Sequence, residues 1–251
     1  MEVNSISGEG HILSSLSVLE MILAVVSVQR RAYDLNLPEY IWRDPFVLSK
    51  GHAALAFFVV MEDFGLIDPT ELDSFGAHQS SFGGHVDARK SSLAYFSTGS
   101  LGHGLPVATG AALQLAKSDP DAIVYCICGD GEFMEGTMWE ALFFAFEMKL
   151  DNLRILIDCN STHNTQGFGQ DALFRKFVAF GNEVKQVDGH NIIEITKALG
   201  GKPNLGPSII LCKTNMGNEI SLVQGKKEWH RRVVNEVDLL MIKKELEVLD
   251  R

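Results

Sequence analysis

The chain has no apolar run long enough to cross a bilayer: stretches such as Ala53 to Met61 fall well short of the ~20 residues a membrane helix needs. A basic N-terminal region is missing too. Glu2 and Glu9 stand where a secretory signal would carry positive charge, so no signal peptide is expected. Basic residues are outnumbered, 22 Lys and Arg against 32 Asp and Glu, for a formal net charge of −10 and a pI near 5.2. A phosphate-binding face for nucleic acid, or a polybasic face for a membrane surface, is not expected from such a balance. No Pro-, Gly- or Ser-rich linker and no internal repeat divides the 251 residues, so one domain spanning 1–251 is expected. Cysteine is sparse. Cys126 and Cys128 lie in AIVYCICGD, Cys159 in ILIDCN and Cys212 in SIILCKT, all runs with the character of buried strands. Without a C-x-x-C pair a structural zinc site has no ligand set, and reduced core thiols in a cytoplasmic protein are the expectation.

What is present is an alternation of helix-like and strand-like segments. Helical spacing predicts helices over Ser14–Gln29, the KGHAALAFFVVMEDFG segment closed by Gly65, Pro106–Ala116, Thr137–Lys149, Ile192–Leu199 and Glu236–Leu249. Largely apolar runs predict strands at Ala122–Cys128, Leu153–Cys159 and Ser208–Cys212, and Val184–Val187 is read as a further strand. Phe46–Leu48 is a short apolar stretch. Strands alternating with helices imply an α/β fold with a doubly wound, mainly parallel sheet, whose ligands bind beyond the C-terminal strand ends. The segment Phe75–Gly104 is polar, rich in Gly and His and without period, and loops of that length in compact domains usually serve function.

Two predicted strands end in oxygen-bearing side chains, Asp130 after the first and Asn160 after the second. Adjacent parallel strands would bring these ends together. Gly129 and Gly131 let a backbone approach a phosphate closely. A carboxylate, an amide oxygen, a backbone carbonyl and two diphosphate oxygens suit octahedral Mg2+. Histidines, with pKa values near neutral pH, can serve as acids, bases and hydrogen-bond donors.

The span from Gly129 to Asn160 resembles the thiamin diphosphate signature of transketolase-like enzymes, and the likeness runs in order through most of the chain. Gly10-His11 followed by SSLS, Leu48-Ser49-Lys50-Gly51-His52, Gly84-His85-Val86-Asp87 and the Ser97–Gly104 loop STGSLGHG resemble successive family motifs. So do EGTMWEA from Glu135, Val187-Asp188-Gly189-His190 and Glu228-Trp229-His230. The resemblance implies thiamin diphosphate and Mg2+ as cofactors, with Asp130, Asn160 and the Thr162 carbonyl on the metal. It implies that Gly99, Ser100, Leu101, Gly129, Gly131, Glu132, Asn160, His52 and His230 bind the cofactor. His11, His52, His85 and His230 would act on the donor sugar, and Glu135 would join an acidic relay between cofactors across a subunit interface.

The resemblance also implies that the pyrimidine-binding domain, expected beyond residue 251, sits on a separate chain. The arrangement is similar to a split transketolase, in which this chain is the N-terminal, diphosphate-binding subunit of an α2β2 assembly, with Phe143, Phe144 and Phe146 candidates for its interface. The implied reaction moves a two-carbon ketol unit from a ketose phosphate donor to an aldose, or to an acyl- or lipoyl-carrier protein. A 2-oxo acid decarboxylase subunit shares the GDG…N logic, but GDGEFMEGTMWEA and LSKGH favour transketolase. A non-catalytic cofactor-binding subunit is the third reading. Leu13 and Ser14 after His11, His103 within the STGSLGHG loop and the NMGNEIS segment depart from the usual pattern and suit a specialised biosynthetic enzyme.

Overall fold

The computed structural model describes residues 1–32, 43–160, 169–181, 183–203, 205–218, 220–230 and 232–249. Five parallel strands form one sheet in the order β1-β2-β3-β5-β4: β1 (Phe46–Leu48), β2 (Val124–Gly129), β3 (Leu153–Cys159), β4 (Glu183–Asp188) and β5 (Ser208–Lys213). The central strands β2 and β3 are buried along their whole length, as continuous apolar runs covered on both faces must be.

Alternate side chains of these strands feed two cores. Tyr125, Ile127, Leu156 and Ile210 face one way, against helices α3 (Leu19–Ala32), α4 (Ala54–Asp63) and α9 (Ile192–Leu199). Val124, Cys126, Ile155, Ile157 and Leu211 face the other, against α6 (Gly104–Ser118), α7 (Gly136–Glu147) and α8 (Gln170–Ala179). A third, smaller cluster joins α2 (Ile12–Leu16) to Trp229, Val234 and Ile242 of α10 (Glu236–Leu249). The short helices α1 (Glu2–Ser7) and α5 (Pro69–Leu72) complete the chain order. All four cysteines are free and buried. Among the described residues no helix is long and apolar enough to cross a membrane.

The expected elements are present with informative differences. The helix expected over Ser14–Gln29 is broken between Leu16 and Leu19, where the Ser17 hydroxyl bonds to Asp158 of β3 at 2.7 Å and to the Ser14 carbonyl at 3.1 Å. The segment from Lys50 opens as a 3-10 turn, Gly51–Ala53, before α4 begins. Phe46–Leu48 is an edge strand rather than a mere apolar stretch, paired in register with Tyr125–Ile127. Helix α6 starts two residues before Pro106; a proline in the first turn costs nothing, since its missing N–H has no acceptor there. Helix α8 falls outside the predicted elements. Of the three phenylalanines on α7, Phe143 and Phe144 are exposed, whereas Phe146 is half-buried against Gly181 and Gly206.

Candidate functional site

In-register parallel pairing carries the C-terminal ends of β1, β2, β3 and β5 to one edge, with Gly129 opposite Asp158 and Asp158 opposite Cys212. Beyond these ends come Ser49-Lys50-Gly51-His52, Asp130-Gly131, Asn160 and Thr214.

Asp158 anchors this edge. Its carboxylate is completely buried, a position that is tenable only if the charge is paired and its lone pairs are filled. It accepts from Ser17 Oγ at 2.7 Å, from Asn160 Nδ2 at 2.8 Å, and from Thr214 Oγ1 and Lys50 Nζ. Lys50, itself almost wholly buried, spends its other two protons on Ser17 Oγ at 2.8 Å and the Ser14 carbonyl at 3.2 Å. Holding the Asn160 amide nitrogen sets the orientation of that side chain, so Oδ1 is directed away from Asp158.

Asp130, 4% exposed, starts a 3-10 segment (Asp130–Met134), and its Oδ1 accepts the Gly131 N–H at 2.8 Å. Asp130 and Asn160 thus follow neighbouring strand ends, as the sequence implied. Hard oxygen ligands on adjacent ends fit a magnesium ion. Thr162 lies outside the described residues.

Glu132, 2% exposed, accepts from Gly129 N–H at 2.9 Å, Ser49 Oγ–H at 2.7 Å and Gly102 N–H at 3.2 Å. Burial pushes its carboxyl above the usual range, and these donors, together with the Lys50 charge, pull it back. Its oxygens accept from three chain donors drawn from separate segments.

Three histidines from distant segments converge. His11, the N-cap of α2, has its ring centroid 5.5 Å from that of His52 and 6.4 Å from that of His85. Desolvation first, then repulsion from His11, lowers the pKa of His85. The backbone permits this approach: a Cβ on Gly51 would sit 2.6 Å from Thr98 Oγ1 and 2.9 Å from the Gly99 nitrogen, so the turn bearing His52 and the Ser97–Leu101 loop touch main chain to main chain. Thr98 N–H donates to the Val86 carbonyl at 3.0 Å, and Ser97 Oγ–H to Asp87 at 2.9 Å, joining that loop to the His85 segment. Arg89 and Ser97 hold the Asp87 carboxyl far below its usual range. Buried Thr98 Oγ1 has no hydrogen-bond partner among the described residues.

Gly99, Ser100 and Leu101 are exposed on the loop, and Glu135 is exposed beside Gly102. His230 ends the 3-10 segment Lys227–His230, which packs on α2. Outside this group, His190 bridges Glu20 at 3.2 Å and the Asn215 N–H at 2.8 Å, a structural tie between α3 and the loop after β5.

Sequence reasoning overlooked Asp158 and Lys50. The signal was available for the first: a lone carboxylate in the otherwise apolar run ILIDC must be compensated if the strand is buried.

Residues 2–249 match the family profile described as the thiamine diphosphate binding domain of transketolase. The chain is 35% identical over 251 residues to one of the subunits of the apulose-4-phosphate transketolase of Actinobacillus succinogenes, covering 96% of this chain and 89% of that protein. It is 34% identical to the 6-deoxy-6-sulfo-D-fructose transketolase subunit SqwG of a Clostridium species, covering 91% and 85%. The crystal structure of transketolase from Campylobacter jejuni superposes with a TM-score of 0.73 at 25% identity, covering 99% of this chain but 42% of that one.

Proposed function

Because the chain belongs to the transketolase family, as its thiamin diphosphate-binding domain, we propose that it is the single-domain, diphosphate-binding subunit of a two-chain transketolase. The partner in this reading is a pyrimidine-binding subunit, joined in an α2β2 assembly. Support for two chains comes from the relatives of similar length, which are named as subunits. Leu101, Met134, Phe143 and Phe144 are exposed and suit the partner's docking face.

Asp130, Asn160 and the Thr162 carbonyl would hold Mg2+, and Gly129, Gly131 and the Ser97–Leu101 loop would line the diphosphate with His52 and His230. Thiamin diphosphate, when bound, supplies the electron sink for breaking the bond between the second and third carbons of a ketose. The chain's own part is placement and proton handling. His11, His52 and His85 would surround the sugar hydroxyls, and a depressed His85 pKa leaves that imidazole neutral and able to accept a proton near pH 7. Glu135 would face the partner and link the two sites.

The observation that carries the reading is that Asp130 and Asn160 follow neighbouring strand ends, on the edge where the turn bearing His52 also follows β1, together with the convergence of His11, His52 and His85. An anionic ketose is the favoured donor, since both named relatives carry a phosphate or sulfo sugar in their names. The acceptor is an aldose or a carrier-bound lipoyl group, in a specialised pathway of the cytoplasm. Donor assays on the assembled enzyme test this: turnover of ketose phosphates but not of 2-oxo acids is expected. Turnover of 2-oxo acids alone would assign a decarboxylase, and failure to bind the cofactor a non-catalytic subunit.

A further inference from the structure

Glu132 sits in a segment whose neighbours Met134 and Glu135 are exposed, yet its own side chain turns inward and is 2% exposed. Burying a carboxylate costs several kcal/mol unless donors replace its water. The donors it has chosen lie far apart in sequence. Gly129 ends β2, Ser49 follows β1, and Gly102 closes the Ser97–Leu101 loop. One carboxylate therefore ties together two strand ends and a loop that no strand holds.

The hold on Gly102 is two-sided. Its N–H donates to Glu132 at 3.2 Å and its carbonyl accepts from Thr137 Oγ1 at 2.9 Å. Its φ of +81° suits glycine, and a Cβ there would lie 2.7 Å from both Glu135 Cβ and Thr137 Oγ1. The peptide after Leu101 is thus gripped by residues 132–137, while Thr98 N–H fixes the other end of the loop on Val86.

We propose that Glu132 is a positioning residue: it pins the Ser97–Gly102 loop to the ends of β1 and β2, so that the cofactor cradle is formed before any cofactor arrives. The proposal rests on the reading of these loops as that cradle. It makes Glu132 act through Gly102, Gly129 and Ser49, without touching the diphosphate. Such an arrangement lowers the ordering cost of binding, because the loop does not have to be immobilised when the ligand enters.

The test is Glu132→Gln, which keeps the shape but replaces one oxygen by an NH2 group. Ser49 can rotate to accept from it; the N–H groups of Gly102 and Gly129 cannot, so at least one loses its acceptor. Amide hydrogen exchange is measured on the cofactor-free chain, and Mg2+–thiamin diphosphate affinity on the chain together with its pyrimidine-binding partner. Amides of residues 97–104 should exchange about tenfold faster in the variant while those of 124–128 stay protected, and cofactor affinity should drop by about tenfold. Unchanged exchange in 97–104 in both Glu132→Gln and Glu132→Ala, the second of which leaves the Gly102 N–H no acceptor in either orientation, would overturn the proposal, and a loss of affinity with unchanged exchange would mean that Glu132 meets the cofactor directly. If the wild-type assembly binds no cofactor, the cradle reading falls, and the exchange data still decide whether Glu132 pins the loop. Should Glu132→Gln not fold, Ser49→Ala removes one donor from the same carboxylate and is expected to speed exchange in 97–104 by about threefold; no change there counts against the proposal.

Discussion

Lys50 and Asp158, 108 residues apart, form an ion pair with 4% of one side chain and none of the other exposed. Every proton of the ammonium has an acceptor, and the same carboxylate holds Asn160 by its amide nitrogen. The pair therefore links the turn that carries His52 to the strand end that carries Asn160, the proposed metal ligand.

Removing one partner leaves an uncompensated buried charge. Lys50→Met is expected to lower unfolding stability by about 3 kcal/mol, and adding Asp158→Asn should recover part of the loss. Urea denaturation of the chain checks both; a loss below about 0.5 kcal/mol for the single variant would contradict the role given to this pair.

Gly51→Ala should be costly for a different reason. The new Cβ meets the Gly99 backbone nitrogen at 2.9 Å, and main chain cannot rotate aside. About 1–3 kcal/mol of destabilisation is expected, with faster proteolysis inside residues 97–104. Gly110→Ala, where a Cβ would meet nothing, is the control and should be neutral or stabilising.

His85 should titrate below its ordinary pKa of 6.5 in an NMR pH series. Desolvation is the larger cause, so His11→Gln should restore only part of the shift. The sign for stability follows: between the lowered folded pKa and 6.5 the unfolded chain binds more protons, so this group's contribution rises with pH through that window and is lost on acidification. A His85 pKa above 6.5 would contradict the packing described.

Asp130→Ala should abolish Mg2+-dependent binding of thiamin diphosphate while the circular dichroism spectrum stays that of the wild type. An unchanged affinity would remove Asp130 from the metal site.

Phe143→Ser combined with Phe144→Ser should leave the melting temperature of the isolated chain nearly unchanged, since both rings are exposed, but weaken association with the pyrimidine-binding partner. Phe146→Ser, by contrast, should destabilise the chain itself, because that ring covers Gly181 and Gly206. Sedimentation of the two chains mixed, together with thermal melts, separates the two effects.

Much of the architecture was legible because a doubly wound sheet writes its central strands as unbroken apolar runs, and Val124–Gly129 and Leu153–Cys159 are of that kind. The histidine and glycine motifs were legible as a set, though not the contacts among them. Helix α8 escaped because only Leu173 and Phe177 are buried and its other positions are mostly charged or exposed. At the break, Ser17 bonds both to the local Ser14 carbonyl and to Asp158, 141 residues away, and no local propensity registers the second contact. Glu132 was legible as a motif residue of GDGE, but its partners, the Ser49 hydroxyl and the Gly102 and Gly129 amides, lie in segments that the local sequence does not bring together.

The most direct test of the account is calorimetric titration of thiamin diphosphate, with and without Mg2+, into this chain alone and into its mixture with the pyrimidine-binding partner. Binding that requires Mg2+ and appears or tightens sharply with the partner is the predicted result. No binding under any of these conditions would contradict the assignment of Asp130 and Asn160 as the metal-holding centre of a shared cofactor site.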